Sequence, residues 1–451
     1  MIKIFKGQIY WAVLSIFFLT IIYVNISYSY SAMFYITNFL IVSISLFLLS
    51  TGYQYTYSLA KLFYLFIFFM FGIVPLNDIE NGNIYWGGSP IAENFYTYGN
   101  FLILSGLFSF YIFGKIKLSK VNSIINFFDN FYNKEMRINL TSNIFFLFSS
   151  IIITIYILNF LHFDFYHIFF RGSMDGNSYD DDQITLLFFN NVIRPIPIFI
   201  FILYRYYSIN SCKLSNHITG ILLFLLAVLS ISPTSIARFQ AATLYGALFM
   251  TCFPNFLNGA YRMQLIFISG ILYFFPFLNK FRDFNFDTFD FSVSLDSMNE
   301  GHFDAYQTFV RAISVDFVSY GHQLLGVILF FIPRVFWPQK PLGSGAQLAD
   351  DTGLLFSNIS MPFLGEGYVN FGLIGVLVFC GFLGFFISML DNIYWSLLNN
   401  GRRGIFAIFY YLLFGLLFFM LRGDLLSSFA YSAGLICSLL LVSFFIKKIP
   451  S

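Results

Sequence analysis

Residues 323–336 read QLLGVILFFIPRVF, and whether this apolar run crosses a membrane decides the fold. The chain has 451 residues, 58% of them hydrophobic and only 10% charged, with a mean hydropathy of +0.75. That composition belongs to a polytopic membrane protein rather than a water-soluble domain. Runs long enough to span a bilayer fall near 8–25, 31–50, 61–76, 96–114, 141–160, 185–205, 217–231, 236–255, 263–279, 366–390, 405–421 and 425–446. Lys and Arg gather on the cytoplasmic side of membrane proteins. Lys447 and Lys448 then lie inside, as do Arg402 and Arg403, and counting back from them puts 337–365 outside. Counting forward from the basic start, Met1 to Lys6, puts 280 outside as well. The two counts agree only if 323–336 does not cross. The run is also short and ends at Pro333 and Arg334, so it is predicted to be a re-entrant or interfacial helix.

With that choice, fifteen of the 24 Lys and Arg residues fall inside and seven in outer loops, while only three of the 22 acids fall inside. The expectation is an all-α membrane protein of about twelve transmembrane helices, both termini cytoplasmic and the first span a signal anchor. Residues 1–279 carry spans one to nine, 280–365 form a large periplasmic region, and 366–451 carry the last three spans. Cys212, Cys252, Cys380 and Cys437 show no CxxC spacing, which predicts neither a disulfide framework nor a metal site. Asp180 to Asp182 are consecutive rather than spaced as ligands and read as a solvated loop. No nucleotide-binding glycine loop or internal repeat is present, a net charge of +2 says little about a partner, and no nucleic acid partner is expected.

The stretch 333–375, PRVFWPQKPLGSGAQLADDTGLLFSNISMPFLGEGYVNFGLIG, concentrates Pro, Gly, Arg and Glu beside a span. Irregular polar backbone at membrane depth is tolerated where it lines a wet, protein-walled site. Arg194 and Arg238 fall inside apolar runs, and a charge there faces the protein interior or an aqueous pocket. Both lie in the outer halves of their runs, where Arg311, Arg334 and Arg422 join them. Clustered guanidiniums suit a diphosphate, because their planar fork binds oxyanions in bidentate fashion and stays charged. Transfer to a hydroxyl needs a proton acceptor. The outer-facing candidates are His302, Asp304, His322, Glu366 and Asp424, with Glu366 and His302 favoured and His322 third. Glu366 begins a membrane helix and is therefore rigidly supported, whereas His302 offers an imidazole, whose intrinsic pKa lies close to working pH. Arg422 and Asp424 share the tight turn LRGDLL, where local pairing is the simplest reading. Asp304, Trp337, Lys340, Tyr368 and Asn370 are further candidates for substrate contact.

A many-span chain carrying HFDAY in its outer region, then PRVFWPQKP, then SMPFLGEGYVNFGLIG, resembles the bacterial O-antigen polymerases of the Wzy family. The specific motifs lie in the last third of the chain. The resemblance implies a GT-C-like glycosyltransferase of the inner membrane with its active site facing the periplasm. Such an enzyme joins repeat units carried on undecaprenyl diphosphate, without a metal or other cofactor, and works alongside a chain-length regulator. The nearest alternatives are an O-antigen ligase, which uses the same donor, and a lipid-linked oligosaccharide flippase. Flippases carry short loops and related halves, against which the large region 280–365 argues.

Overall fold

The computed structural model describes residues 17, 19–20, 23–24, 26–51, 55–80, 89–116, 138–170, 183–209, 213–259, 262–281, 303–400 and 404–447. Among them every regular element is helical. Among the described residues, eight helices are long and apolar enough to cross a membrane: Ala32–Ser50, Leu59–Glu80, Glu93–Gly114, Leu140–Phe160, Thr185–Ser208, Phe363–Asn399, Ile405–Arg422 and Leu425–Phe445. Each coincides with an apolar run of the sequence. Two further runs form the shorter apolar helices Leu214–Ser230 and Arg262–Leu278, and the run 236–255 forms the fifteen-residue helix Arg238–Cys252. Most of the run 8–25 lies outside the described residues. The chain is thus a multi-pass, all-helical membrane protein.

Prolines shape three of these helices in the same way. Ile67–Ile73, Phe189–Ile193 and Gly270–Phe274 are π-helical, and each is followed within two residues by a proline, Pro75, Pro195 or Pro276. A proline removes one N–H and crowds the preceding turn. A widened turn accommodates the ring while the helical path continues. Arg194 sits at one such junction, its backbone N–H donating to the Phe189 carbonyl at 2.9 Å.

Within 323–336 the regular element is His322–Ile328, seven residues or about 10 Å of helix, too short to cross a bilayer. The segment of this region that enters the bundle is another one, Ala305–Ser314, whose residues 305–313 are all buried. It packs against Glu93–Gly114, Phe363–Asn399 and the Ile67–Ile73 turn. Its polar residues are matched rather than solvated. Tyr306 donates to Asn100 Oδ1 at 2.9 Å, Gln307 Nε2 to Asp78 Oδ2 at 3.2 Å, and both Arg311 terminal nitrogens to the Ser89 carbonyl at 3.4 Å. At the opposite end of the bundle, buried Asp391 accepts from the backbone of Leu59 and Ala60 at 2.9 and 3.2 Å and so caps the second long helix.

The Phe363–Asn399 helix is broken at Phe371 and Gly372, where Gly372 has φ +61° and ψ −143°. That backbone region is open essentially to glycine. The short arm 363–370 folds back on the start of the long arm, and Gly367 and Gly375 meet backbone to backbone. A methyl group at Gly375 would overlap the Gly367 carbonyl oxygen. Because the obstruction is main chain, no rotamer relieves it. Gly375→Ala is therefore expected to cost more than about 3 kcal/mol, the upper end for overpacking. Gly246→Ala, where nothing lies within 4 Å, is the neutral control. Thermal unfolding of the two purified variants compares them, and an unshifted Gly375→Ala would rule out the close packing.

Candidate functional site

The turn Arg422-Gly423-Asp424 joins the last two helices and gathers the site. Arg422 ends its helix, where a cation complements the helix dipole. It reaches across to Asp304, Nη2 to Oδ1 at 2.9 Å, and both side chains are buried. The simple expectation that Arg422 pairs within its own turn thus gives way to a contact spanning 118 residues. Burial raises the Asp304 carboxyl above its usual range, against the pull of Arg422.

Asp424 and Glu366 act as crossed caps. Asp424 Oδ1 accepts from Gly345 N at 3.0 Å and Met361 N at 2.8 Å, and so satisfies the first turn of the Ser344–Thr352 helix. Glu366 Oε1 accepts from Leu425 N at 2.9 Å, an N–H of the final helix's first turn, and Oε2 accepts from Ser344 Oγ at 2.8 Å. Each carboxylate caps a helix that begins next to the other. The difference lies in what remains. Both oxygens of Glu366 are hydrogen-bonded, and the residue is 1% exposed. Asp424 uses Oδ1 for both of its bonds. Its Oδ2 lies against Gly343, so close that a methyl group there would overlap it, and takes no hydrogen bond among the described residues. Burial pushes the Asp424 carboxyl up to about 6, opposed by its two backbone donors and reinforced by the charge of Asp304.

Asp424 opens onto a cavity of about 390 Å³. One wall is the Arg238–Cys252 helix, through Phe239, Gln240 and Thr243; the last two helices supply Leu416, Phe419, Ser427, Tyr431 and Leu435. Gly343, Ala346 and Ser357 to Ser360 close the top. Ser427, Tyr431 and Leu435 recur every four residues on one helix face, so the cavity runs down the helix by about 12 Å. Its lining grades from hydroxyl, amide and carboxylate groups at the turn to Leu416 and Leu435 below. Among the described lining residues, Asp424 is the only ionisable acid or base apart from the phenol of Tyr431.

The other sequence candidates sort by distance from this cavity. Arg238 is half-buried, its guanidinium 4.8 Å over the Phe275 ring, one residue before cavity-lining Phe239. Arg422 lies 5.6 Å over Phe239 itself, and Phe239 and Phe275 are in edge contact at 5.0 Å. Arg194 is buried behind the wall and donates to the Ser230 carbonyl and Ser235 Oγ, both at 2.8 Å. Its neighbour Asn190 accepts from cavity-lining Gln240 at 3.1 Å. Arg311 points instead to Ser89. Arg334, Lys340, Trp337 and His322 belong to a separate outcrop, in which His322 and Trp337 meet edge-on at 6.3 Å. Tyr368 donates to Asp316 at 3.1 Å, and Asn370 receives Leu324 N at 2.8 Å, so both brace the 316–324 turn. His302 lies outside the described residues.

The sequence reading missed Gln240, Thr243, Ser344, Asn358 and Tyr431. The one signal available was the four-residue recurrence of Ser427, Tyr431 and Leu435 directly after a charged turn. Among the described residues no group of three or more His, Cys, Asp or Glu side chains is placed to hold a metal ion. No family model matches this chain, and no curated protein or solved structure matches it.

Proposed function

We propose that this chain is a membrane glycosyltransferase that joins oligosaccharide repeat units carried on undecaprenyl diphosphate, at the periplasmic face of a bacterial inner membrane. The observation that carries the reading is the Asp424 carboxylate on the wall of a cavity graded from polar to apolar, with an Oδ2 that takes no hydrogen bond among the described residues. Hydroxyl, amide and aromatic groups are the side chains that bind sugars, and the apolar floor suits the lipid end of an amphiphile. In this reading an acceptor hydroxyl lies against Asp424. Its oxygen attacks the anomeric carbon of the donor glycan, forming the new C–O bond while the bond to the diphosphate breaks. The lipid diphosphate leaves with the electron pair, and Asp424 takes the hydroxyl proton. Guanidinium groups offset the charge on the leaving diphosphate, a task for which no metal is then required. The Pro-Arg, Trp-Pro and Gly-Glu-Tyr motifs that resemble O-antigen polymerases support the same conclusion.

Of the five arginines, Arg238 is best situated for the diphosphate, being half-buried and adjacent to the lining. Arg238→Lys is expected to slow polymer formation by on the order of 100-fold, since an ammonium lacks the bidentate fork. Arg311 and Arg334 are held by backbone carbonyls elsewhere, and their variants are expected to alter stability more than rate. A deletion strain tests the function itself. Surface lipopolysaccharide bearing core plus a single repeat unit is the expected phenotype. Core with no repeat at all would point to a ligase or a flippase instead.

A further inference from the structure

Residues 322–341 form an outcrop beside the cavity that is built inside out. Gln323, Gly326 and Val327 face inward from the His322–Ile328 helix, and Gly326 lies directly under the Pro341 ring. On the other side Leu325, Ile328, Phe331, Val335 and Phe336 are exposed, Val335 to 85% and Phe336 to 81%. The two cations are tied to the loop's own backbone. Arg334 donates to the carbonyls of Lys340 and, at 2.9 Å, Pro341; Lys340 Nζ donates to Phe330 O at 2.6 Å and Ile332 O at 3.0 Å. A loop bathed in water would turn its cations out and its large apolar groups in. Here the loop's own carbonyls hold the cations, and the apolar face is presented rigidly.

This face continues the exposed apolar surface of the membrane-spanning helices. Phe330 packs edge-on against exposed Phe429 of the last helix at 5.7 Å. The Phe371 ring lies against Gly321, and beyond it Leu373 and Ile374 are exposed on the long arm of the broken helix. Tyr320 and Trp337 flank the outcrop, and aromatic residues of these types concentrate at membrane–water interfaces. We propose that residues 325–336 are a wedge seated in the headgroup–acyl boundary of the bilayer, and that this seat holds the Gly343–Ala346 wall of the cavity in place. The mechanical link is short, because Pro341, packed on Gly326, stands two residues before Gly343. The inference concerns lipid contact and stands independently of the glycosyl-transfer reading.

The test uses the full chain in lipid nanodiscs, with Cys212, Cys252, Cys380 and Cys437 replaced. A nitroxide is placed at V335C or F336C, with F148C on an apolar span face as the lipid reference and exposed D350C as the water reference. Power saturation with oxygen and with a water-soluble nickel chelate reads each site. Both wedge sites are expected to behave like F148C, with nickel collisions at least about threefold below those of D350C, as a face buried in the acyl boundary requires. Collisions equal to those of D350C would overturn the proposal and leave the face to a protein partner. The second clause is read by maleimide labelling of A346C. The pair V335D and F336D is expected to speed labelling severalfold, and an unchanged rate would overturn the claim that the wedge holds the wall.

Discussion

Arg422→Met is expected to destabilise the folded chain by about 3–5 kcal/mol, the range for removing one member of a buried ion pair. Asp304 is 6% exposed and held by Arg422 at 2.9 Å, so the variant leaves a buried carboxylate without its cation. Adding Asp304→Asn should recover most of the loss, since a neutral amide needs no counter-charge. The effect also has a predicted pH sign. The folded value for Asp304 is raised, so its contribution is most favourable when protonated and is lost as pH rises through the folded value. With Arg422 gone that slope steepens, and Arg422→Met should be more stable at about pH 5 than at about pH 7.5. Unfolding of the two single variants and the double variant in detergent supplies the cycle. A loss under about 1 kcal/mol for Arg422→Met, the size of an exposed pair, would show that the pair does not act as a buried one.

Asp424→Asn is expected to lower polymer formation by about 10²–10⁴-fold, the contribution of a positioned general base. The amide keeps the oxygen that receives Gly345 N and Met361 N, so the fold survives while the proton acceptor is gone. Glu366→Gln is the contrasting variant. Its oxygen still receives Leu425 N and its amide reaches Ser344 Oγ, so the rate should stay within about tenfold of the parent, because no reacting group is lost. The parent rate should fall as pH drops through about 6, where Asp424 takes up its proton, by about tenfold per pH unit. Stability runs the other way. A carboxyl whose folded value lies above its unfolded one binds protons more tightly when folded, so raising the pH from about 4 to about 6 should weaken the fold, and Asp424→Asn should remove that slope. Both readouts come from purified protein and lipid-linked repeat units. Near-normal ladders from Asp424→Asn together with lost ladders from Glu366→Gln would exchange the two roles.

The long spans were legible because a bilayer demands some 20 consecutive apolar residues, and composition carries that directly. Lys and Arg placement kept 323–336 from being taken as a crossing, and the structure gives it one seven-residue helix. The burial of Ala305–Ser314 was not legible. AYQTFVRAI has the amphipathic pattern of a surface helix, and its polar face is matched by Asp78, Asn100 and Ser89 from distant parts of the chain. Asp424 was visible as a candidate, but its ranking rested on partners the sequence leaves unmarked. Gly345 and Met361 lie 79 and 63 residues away. Glu366 drew the stronger inference because it starts a helix. That position is real, yet the carboxylate serves the helix that begins at Leu425 and has no oxygen left over.

The crossed caps also set an order of assembly. Leu425 N finds its acceptor on Glu366, and Asp424 supplies the acceptor for Gly345 and Met361. During synthesis the region 303–366 emerges before the turn at 422–425 does. Until that turn arrives, Asp304 lacks its guanidinium and the Ser344–Thr352 helix lacks its cap. The last two helices therefore act as a clasp, closing a pocket whose other walls are already inserted. A chain that stops short of Arg422 would keep a buried carboxylate at Asp304 with no guanidinium to meet it, and Gly345 and Met361 with no Asp424 to accept from them.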